Sequence, residues 1–121
     1  MKIGSPAERA SAESRVALTP ESAKQLQKLG HECLVQKGAG AKAGFSDEDY
    51  SKAGVKVVGS AKALWKSSDV VVKVLGPDET EVTYLNKTKT LISFFWPAQN
   101  EALLKDVNKT GATVLAMDMG P

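Results

Sequence analysis

Two arginines stand among the 16 basic residues of this 121-residue chain, and both fall in one polar stretch, at Arg9 and Arg15. A guanidinium offers a rigid fork of donors that matches a carboxylate or a phosphate, which the point charge of a lysine does not. Glu8 and Glu13 lie beside them and offer a purely local pairing. Local pairing is the leading reading for Arg9. Anion binding is the leading reading for Arg15, which directly precedes an apolar turn. Lys73 is the sharpest single residue, because it interrupts Val70-Val71-Val72-Lys73-Val74-Leu75, a run otherwise suited to a sheet interior. An unpaired buried charge is costly, so this lysine must snorkel from a strand end or face an anion. At the carboxyl end of its strand it would point into a cleft together with Arg15, with Trp96 beside them. A lysine in such an open cleft predicts that Lys73→Met leaves stability level or raises it. Trp96-Pro97-Ala98-Gln99-Asn100 closes the most apolar run, where Trp96 and Gln99 suit either a ligand wall or a plug at the core edge.

Other chemistries fit poorly. Gly38-Ala39-Gly40-Ala41-Lys42-Ala43-Gly44 has the spacing G-x-G-x-x-x-G, one residue too long for the dinucleotide fingerprint, and Phe45 follows it where a P-loop needs lysine. It reads as a strand-to-helix turn. His31, the single histidine, lies at the start of a strand, the end away from any cleft; Cys33 sits mid-strand and reads as core. No His, Cys and carboxylate cluster has metal-ligand spacing, and no Ser-His-acid set is credible. No catalytic residue and no metal site is expected.

The elements that must position these residues alternate along the chain. Lys2–Ser5 reads as a strand closed by Pro6, followed by a polar loop over Ala7–Ala17. Thr19-Pro20-Glu21 starts a helix whose stripe of Ala23, Leu26 and Leu29 ends at Gly30. His31–Gln36, Val55–Val58, Val70–Leu75, Thr90–Phe95 and Ala112–Met117 read as strands. Helices are expected from Ser46 to Gly54, from Ser60 to Trp65, from Pro77-Asp78 to about Leu85, and from an Asn100 cap to Val107. This alternation predicts an α/β fold with a doubly wound, mostly parallel sheet, Rossmann-like or flavodoxin-like. Ligands of such sheets sit at the carboxyl ends of the strands, where Arg15, Lys73, Trp96 and Gln99 are expected to meet.

Composition is that of one globular domain: 42% hydrophobic, 25% charged, net charge +2. Without a Lys/Arg run, nucleic acid is excluded as a first guess. One cysteine rules out an internal disulfide framework and fits a reducing compartment. The apolar stretches fall short of a membrane span, and MKIGSP is not a secretory signal. The chain reads as soluble and intracellular, and it stops at Met119-Gly120-Pro121 where a doubly wound domain would continue into a helix.

Over nearly its whole length the sequence resembles the N-terminal part of the alanine dehydrogenase and nicotinamide nucleotide transhydrogenase family. The resemblance rests on MKIGSPAERASAESRVALTPES, KLGHECLVQKGAGAKAGFSDEDY, DVVVKVLGP, LISFFWPAQN and TVLAMDMGP. The WPAQN segment is similar specifically to the transhydrogenase alpha subunit. The resemblance implies the N-terminal domain of a two-domain NAD enzyme, spanning residues 1–121 and cut before the NAD-binding domain. It also implies that Arg15 and Lys73 match the pyruvate-pocket arginine and lysine of alanine dehydrogenases, with Trp96 and Gln99 beside them in the cleft. Trp96 holds the position of the catalytic histidine of those enzymes, so reduction of pyruvate imine is not expected. NAD is the implied cofactor of the full-length protein, held by a loop and a glycine fingerprint beyond residue 121, and no cofactor-binding residue carries over onto this chain. The implied partners are the rest of the alpha subunit and an NADP-binding beta subunit of a membrane complex, with a homodimer in the intact enzyme. The implied location is the cytoplasmic face of the inner membrane. The implied activity is hydride transfer between NAD(H) and NADP(H) coupled to proton translocation; the alternatives are a fragment of an alanine dehydrogenase-like enzyme and a non-catalytic α/β binding module.

Overall fold

The computed structural model describes residues 1–95 and 101–116. Six strands are present among them: β1 (Lys2–Ser5), β2 (Glu32–Gln36), β3 (Lys56–Val58), β4 (Val70–Leu75), β5 (Thr90–Phe95) and β6 (Thr113–Ala116). They form one sheet in the order β3-β2-β1-β4-β5-β6, every pair parallel. That is the Rossmann order, which decides between the two doubly wound arrangements open to the sequence. The connections carry α1 (Pro20–Lys28), α2 (Asp47–Lys52), α3 (Ala61–Ser67), α4 (Glu79–Val82) and α5 (Glu101–Lys109).

Local chemistry starts most of these helices. The Thr19 hydroxyl accepts from the Ser22 amide ahead of α1, with Pro20 at the first position, where its missing N–H is harmless. Ser46 accepts from Asp49 ahead of α2, and Asp78 from Glu81 ahead of α4. The sheet separates two cores by the alternation of side chains along each strand. Ile3, Cys33, Val35, Val70 and Val72 pack with Leu18, Ala23 and Tyr50 on the α1–α2 side. Leu34, Val71 and Leu91 pack with Leu64, Trp65, Leu85 and Val107 on the other. Lys73, two residues on from Val71, therefore belongs to the second side, the side of α4.

One helix is shorter than its sequence suggests. The expected segment from Pro77 to Leu85 is helical only over Glu79–Val82. Beyond it, the Thr83, Tyr84 and Leu85 amides donate only three residues back, to the Thr80, Glu81 and Val82 carbonyls, so the turn tightens out of α geometry as Tyr84 reaches the Trp65 ring and Leu85 enters the core. The cap expected at Asn100 and the end of the last strand at Met117 lie outside the described residues.

The glycine stretch serves packing. Gly44 adopts a left-handed conformation (φ 89°) at the end of a 3-10 turn over Ala41–Ala43. At Gly40 a β-carbon would lie 2.6 Å from the Tyr50 ring, and that ring is fully buried with its hydroxyl donating to the Leu18 carbonyl at 2.7 Å. Asp47 accepts from the Gly38 amide, so the turn binds a carboxylate of its own chain. Because Tyr50 has no room to retreat, Gly40→Ala should lower stability by about 1–3 kcal/mol, read as a lower urea midpoint at unchanged slope. An unchanged midpoint would show that Gly40 is not held by this contact.

Candidate functional site

The strand order reverses between β1 and β4, and the crevice at their carboxyl ends is where open α/β sheets bind ligands. Here the crevice is filled by the protein's own charges. β1 stays in register with β4 only as far as Gly4 opposite Val71, and Pro6, with no N–H to offer, turns the chain away. That leaves β4 amides beyond the end of β1 in need of acceptors. Glu8 supplies them: its carboxylate accepts from the Val74 amide at 3.0 Å and the Leu75 amide at 3.1 Å. The same carboxylate takes the Lys73 ammonium at 3.1 Å.

Lys73 is only 1% exposed and has a second partner, Glu81, at 3.2 Å. Glu81 is fixed by the capping box of α4, where it accepts from the Asp78 amide while Asp78 accepts from the Glu81 amide. Two buried carboxylates thus flank one buried ammonium. Burial pushes the Glu81 carboxyl above its ordinary range, and the Lys73 charge only partly offsets this. A cavity of about 240 Å3 lies alongside, lined among others by Glu8, Arg9, Lys73, Asp78 and Glu81. It is smaller than the roughly 300–1,000 Å3 usual for ligand sites. Ser5, at the end of β1, buries a hydroxyl that has no partner among the described residues.

The two arginines differ from the sequence reading in their partners. Arg9 reaches past its neighbours to Asp78, 69 residues away, in a pair exposed to solvent. Asp78 is pushed up by burial, but the Glu81 amide and Arg9 together outweigh this and hold it below its ordinary value. Arg15 makes the local pair: Nε and Nη2 each donate to Glu13 at 2.9 Å, and its guanidinium lies 4.3 Å from the centre of the Phe95 ring. Its side chain is 56% exposed, and three of its five N–H donors remain uncommitted to Glu13. Glu13 is held below its ordinary value, chiefly by the Arg15 hydrogen bond.

Phe95 pairs with Leu75 across β4 and β5, so Arg15 and Lys73 lie at the same end of the sheet. The expected open setting for Lys73 is corrected: the lysine is enclosed, and its anions are Glu8 and Glu81. Trp96 and Gln99 lie outside the described residues. Sequence reading missed Glu8 and Glu81 as members of this cluster. The Asp78–Glu81 capping spacing was the available signal for Glu81; Glu8 carried none, because its partner is 65 residues away. Cys33 donates to the Ala23 carbonyl from the core, and burial pushes its thiol up. Among the described residues no group of three His, Cys, Asp or Glu side chains could hold a metal, and no helix is long and apolar enough to cross a membrane.

Residues 4–121 match the family described as alanine dehydrogenase/PNT, N-terminal domain. The chain belongs to this family. It is 60% identical over 121 residues to the NAD(P) transhydrogenase subunit alpha of Cereibacter sphaeroides, an alignment that takes in all of this chain and 23% of that protein. An L-alanine dehydrogenase structure superposes with TM-score 0.90 at 38% identity, over 96% of this chain and 32% of that one. A transhydrogenase from Sinorhizobium meliloti superposes with TM-score 0.89 at 32% identity, over 97% of this chain and 35% of that one. The chain therefore spans between 23% and 35% of the length of these relatives.

The described residues do not fit the pyrophosphate of a dinucleotide. The segment from Pro6 to Thr19 contains no glycine for close backbone approach. The first turn of α1 is already capped by Thr19 and Ser22, and Glu8, Lys73 and Glu81 fill the crevice.

Two measurements check this charge arrangement. Glu13, with its value lowered, adds stability above the ordinary 4.5 that is lost as pH falls through its folded value. Glu81, with its value raised, adds stability below 4.5 that is lost as pH rises through its folded value. Carboxyl-detected NMR should find Glu13 titrating below 4.5 and Glu81 above it, and the reverse order would contradict the geometry. Lys73→Met leaves two buried carboxylates without their cation and should cost about 3–5 kcal/mol near neutral pH. A stability equal to the parent would mean that Lys73 faces solvent.

Proposed function

We propose that this chain is the N-terminal portion of an NAD(P) transhydrogenase alpha subunit, which transfers hydride between NAD(H) and NADP(H) coupled to proton translocation. The observation that carries this reading is the 60% identity along the whole chain to a protein of that name, against 38% to the solved alanine dehydrogenase. The sequence at Leu91–Asn100 agrees with it, because Trp96 stands where the dehydrogenase resemblance calls for histidine. Direct hydride transfer needs two nicotinamides held in position and no protein acid or base, so that histidine is dispensable.

On this reading NAD is bound by the remainder of the full-length protein, and the present chain alone is inactive. Arg15, Trp96 and Gln99 line one wall of the cleft against that remainder. Arg15 is the member with donors to spare, while Lys73 works from beneath by fixing Glu8 and with it the start of the loop that carries Arg15. The partners are the rest of the alpha subunit, a second alpha subunit in a homodimer, and an NADP-binding beta subunit. The complex sits in the inner membrane, with this domain peripheral on the cytoplasmic face.

The test is a chimera in which this chain replaces the matching segment of the Cereibacter sphaeroides subunit, assembled with its native partners. Hydride transfer from NADPH to an NAD analogue should stay within about tenfold of the parent, a barrier change of about 1.4 kcal/mol. Loss of transfer in a chimera that folds and assembles, or NADH formation dependent on alanine, would count against the reading. The isolated chain should show no saturable NADH binding tighter than ~1 mM, about −4 kcal/mol.

A further inference from the structure

The opposite, amino end of the sheet carries a second cavity of about 460 Å3, lined by Lys62, Lys66, Tyr84, Asn86, Thr88 and Lys89. It lies between α3 and the segment leading into β5, and it shares no residue with the cavity at the switch point. Its volume falls in the range of small-molecule sites.

The polar groups around it are almost all committed as acceptors or free as donors. The Asn86 side-chain oxygen accepts from both the amide and the hydroxyl of Thr88. That double contact fixes the orientation of the side chain and leaves its NH2 group over. Lys89 donates to the carbonyls of Lys66 (2.9 Å) and Ser68 (2.6 Å), which pins its ammonium and leaves one N–H. Lys62 and Lys66 are exposed and have no ion pair among the described residues. Among the described residues no carboxylate lines the cavity. Its back is stiff, because the Tyr84 ring rests against fully buried Trp65 with centroids 6.0 Å apart.

Lys66 and Lys89 have a structural reason to be there, since both sit at the carboxyl end of α3, where cations are favoured. Lys62 has none. It lies in the first turn of α3, the positive end of the helix dipole, and four residues before Lys66 on the same face. Its placement works against the helix on both counts. Departures from local rules concentrate at functional or strained sites, and no strain is seen at Lys62.

We propose that this cavity is a binding site for a phosphate-type anion. Three lysines and Asn86 line it, which brings more donors and more charge to the cavity than a single carboxylate can use, whereas a phosphate dianion has several oxygens to accept them. Such a group comes either free, as in a small phosphorylated molecule, or on a lipid headgroup.

Titration of the intact chain with pyrophosphate at low salt, followed by amide NMR, should give saturable shifts centred on Tyr84, Asn86 and Lys89. The double variant Lys62→Gln/Lys66→Gln should weaken binding at least tenfold. Lys24→Gln/Lys28→Gln, the same charge change at the same spacing on α1, should alter it by less than twofold. A parallel flotation assay with phosphatidic acid vesicles, which present a phosphomonoester, and phosphatidylcholine vesicles separates the two sources. Binding of pyrophosphate that depends on Lys62 and Lys66 supports a free phosphate ligand. Binding only to phosphatidic acid vesicles, with the same dependence, supports the headgroup. No binding in either arm, or equal weakening by the α1 control, overturns the proposal and leaves the switch-point site untouched.

Discussion

An ammonium group held 1% exposed inside a sheet is stable only where fixed anions surround it, and Lys73 has two, Glu8 and Glu81. Those two carboxylates come from the loop after β1 and from the first turn of α4, so one buried charge joins three parts of the chain. Glu8 also accepts from two β4 amides, which makes it the continuation of the sheet where β1 has ended. The rest of the carboxyl edge follows from this. The β1–α1 loop starts from a fixed point at Glu8, is tied further along by Arg9 to Asp78, and brings Arg15 over the Phe95 ring.

This arrangement explains how a Rossmann strand order coexists with a switch point occupied by the chain's own charges. Strand order alone puts a crevice between β1 and β4. What the crevice does is decided by the side chains placed there, and in this chain they satisfy one another. Arg15, half exposed and stacked on an aromatic face, is where this edge of the domain still offers donors outward.

The fold was legible in the sequence wherever its causes are local. The β-branched run at Val70–Leu75 and the caps at Thr19, Ser46, Ser60 and Asp78 each follow from neighbouring residues, and the observed elements begin where those signals stand. The pair Glu13–Arg15, two residues apart, was open to the same local reading, yet the residue types pointed first to an outside anion for Arg15. Arg9–Asp78 and Glu8–Lys73 were not, because each joins residues more than sixty positions apart and depends on the strand order. Lys73 shows both sides of this limit. Its charge in an apolar strand announced an anion, but the sequence pattern could not say that the anion is internal. The length of α4 was hidden likewise, since it is set by where Tyr84 and Leu85 must pack.

The central claim is that Glu8 and Lys73 act as one unit that closes the switch point. A double-mutant cycle with Glu8→Gln, Lys73→Met and the double variant, read by urea unfolding at neutral pH, tests it directly. Contact through a shared buried charge predicts a coupling energy of about 1.5–3 kcal/mol, with the double variant far less destabilised than the two single losses combined. Losses that add to within about 0.5 kcal/mol would show that the two residues act independently, and would contradict the claim.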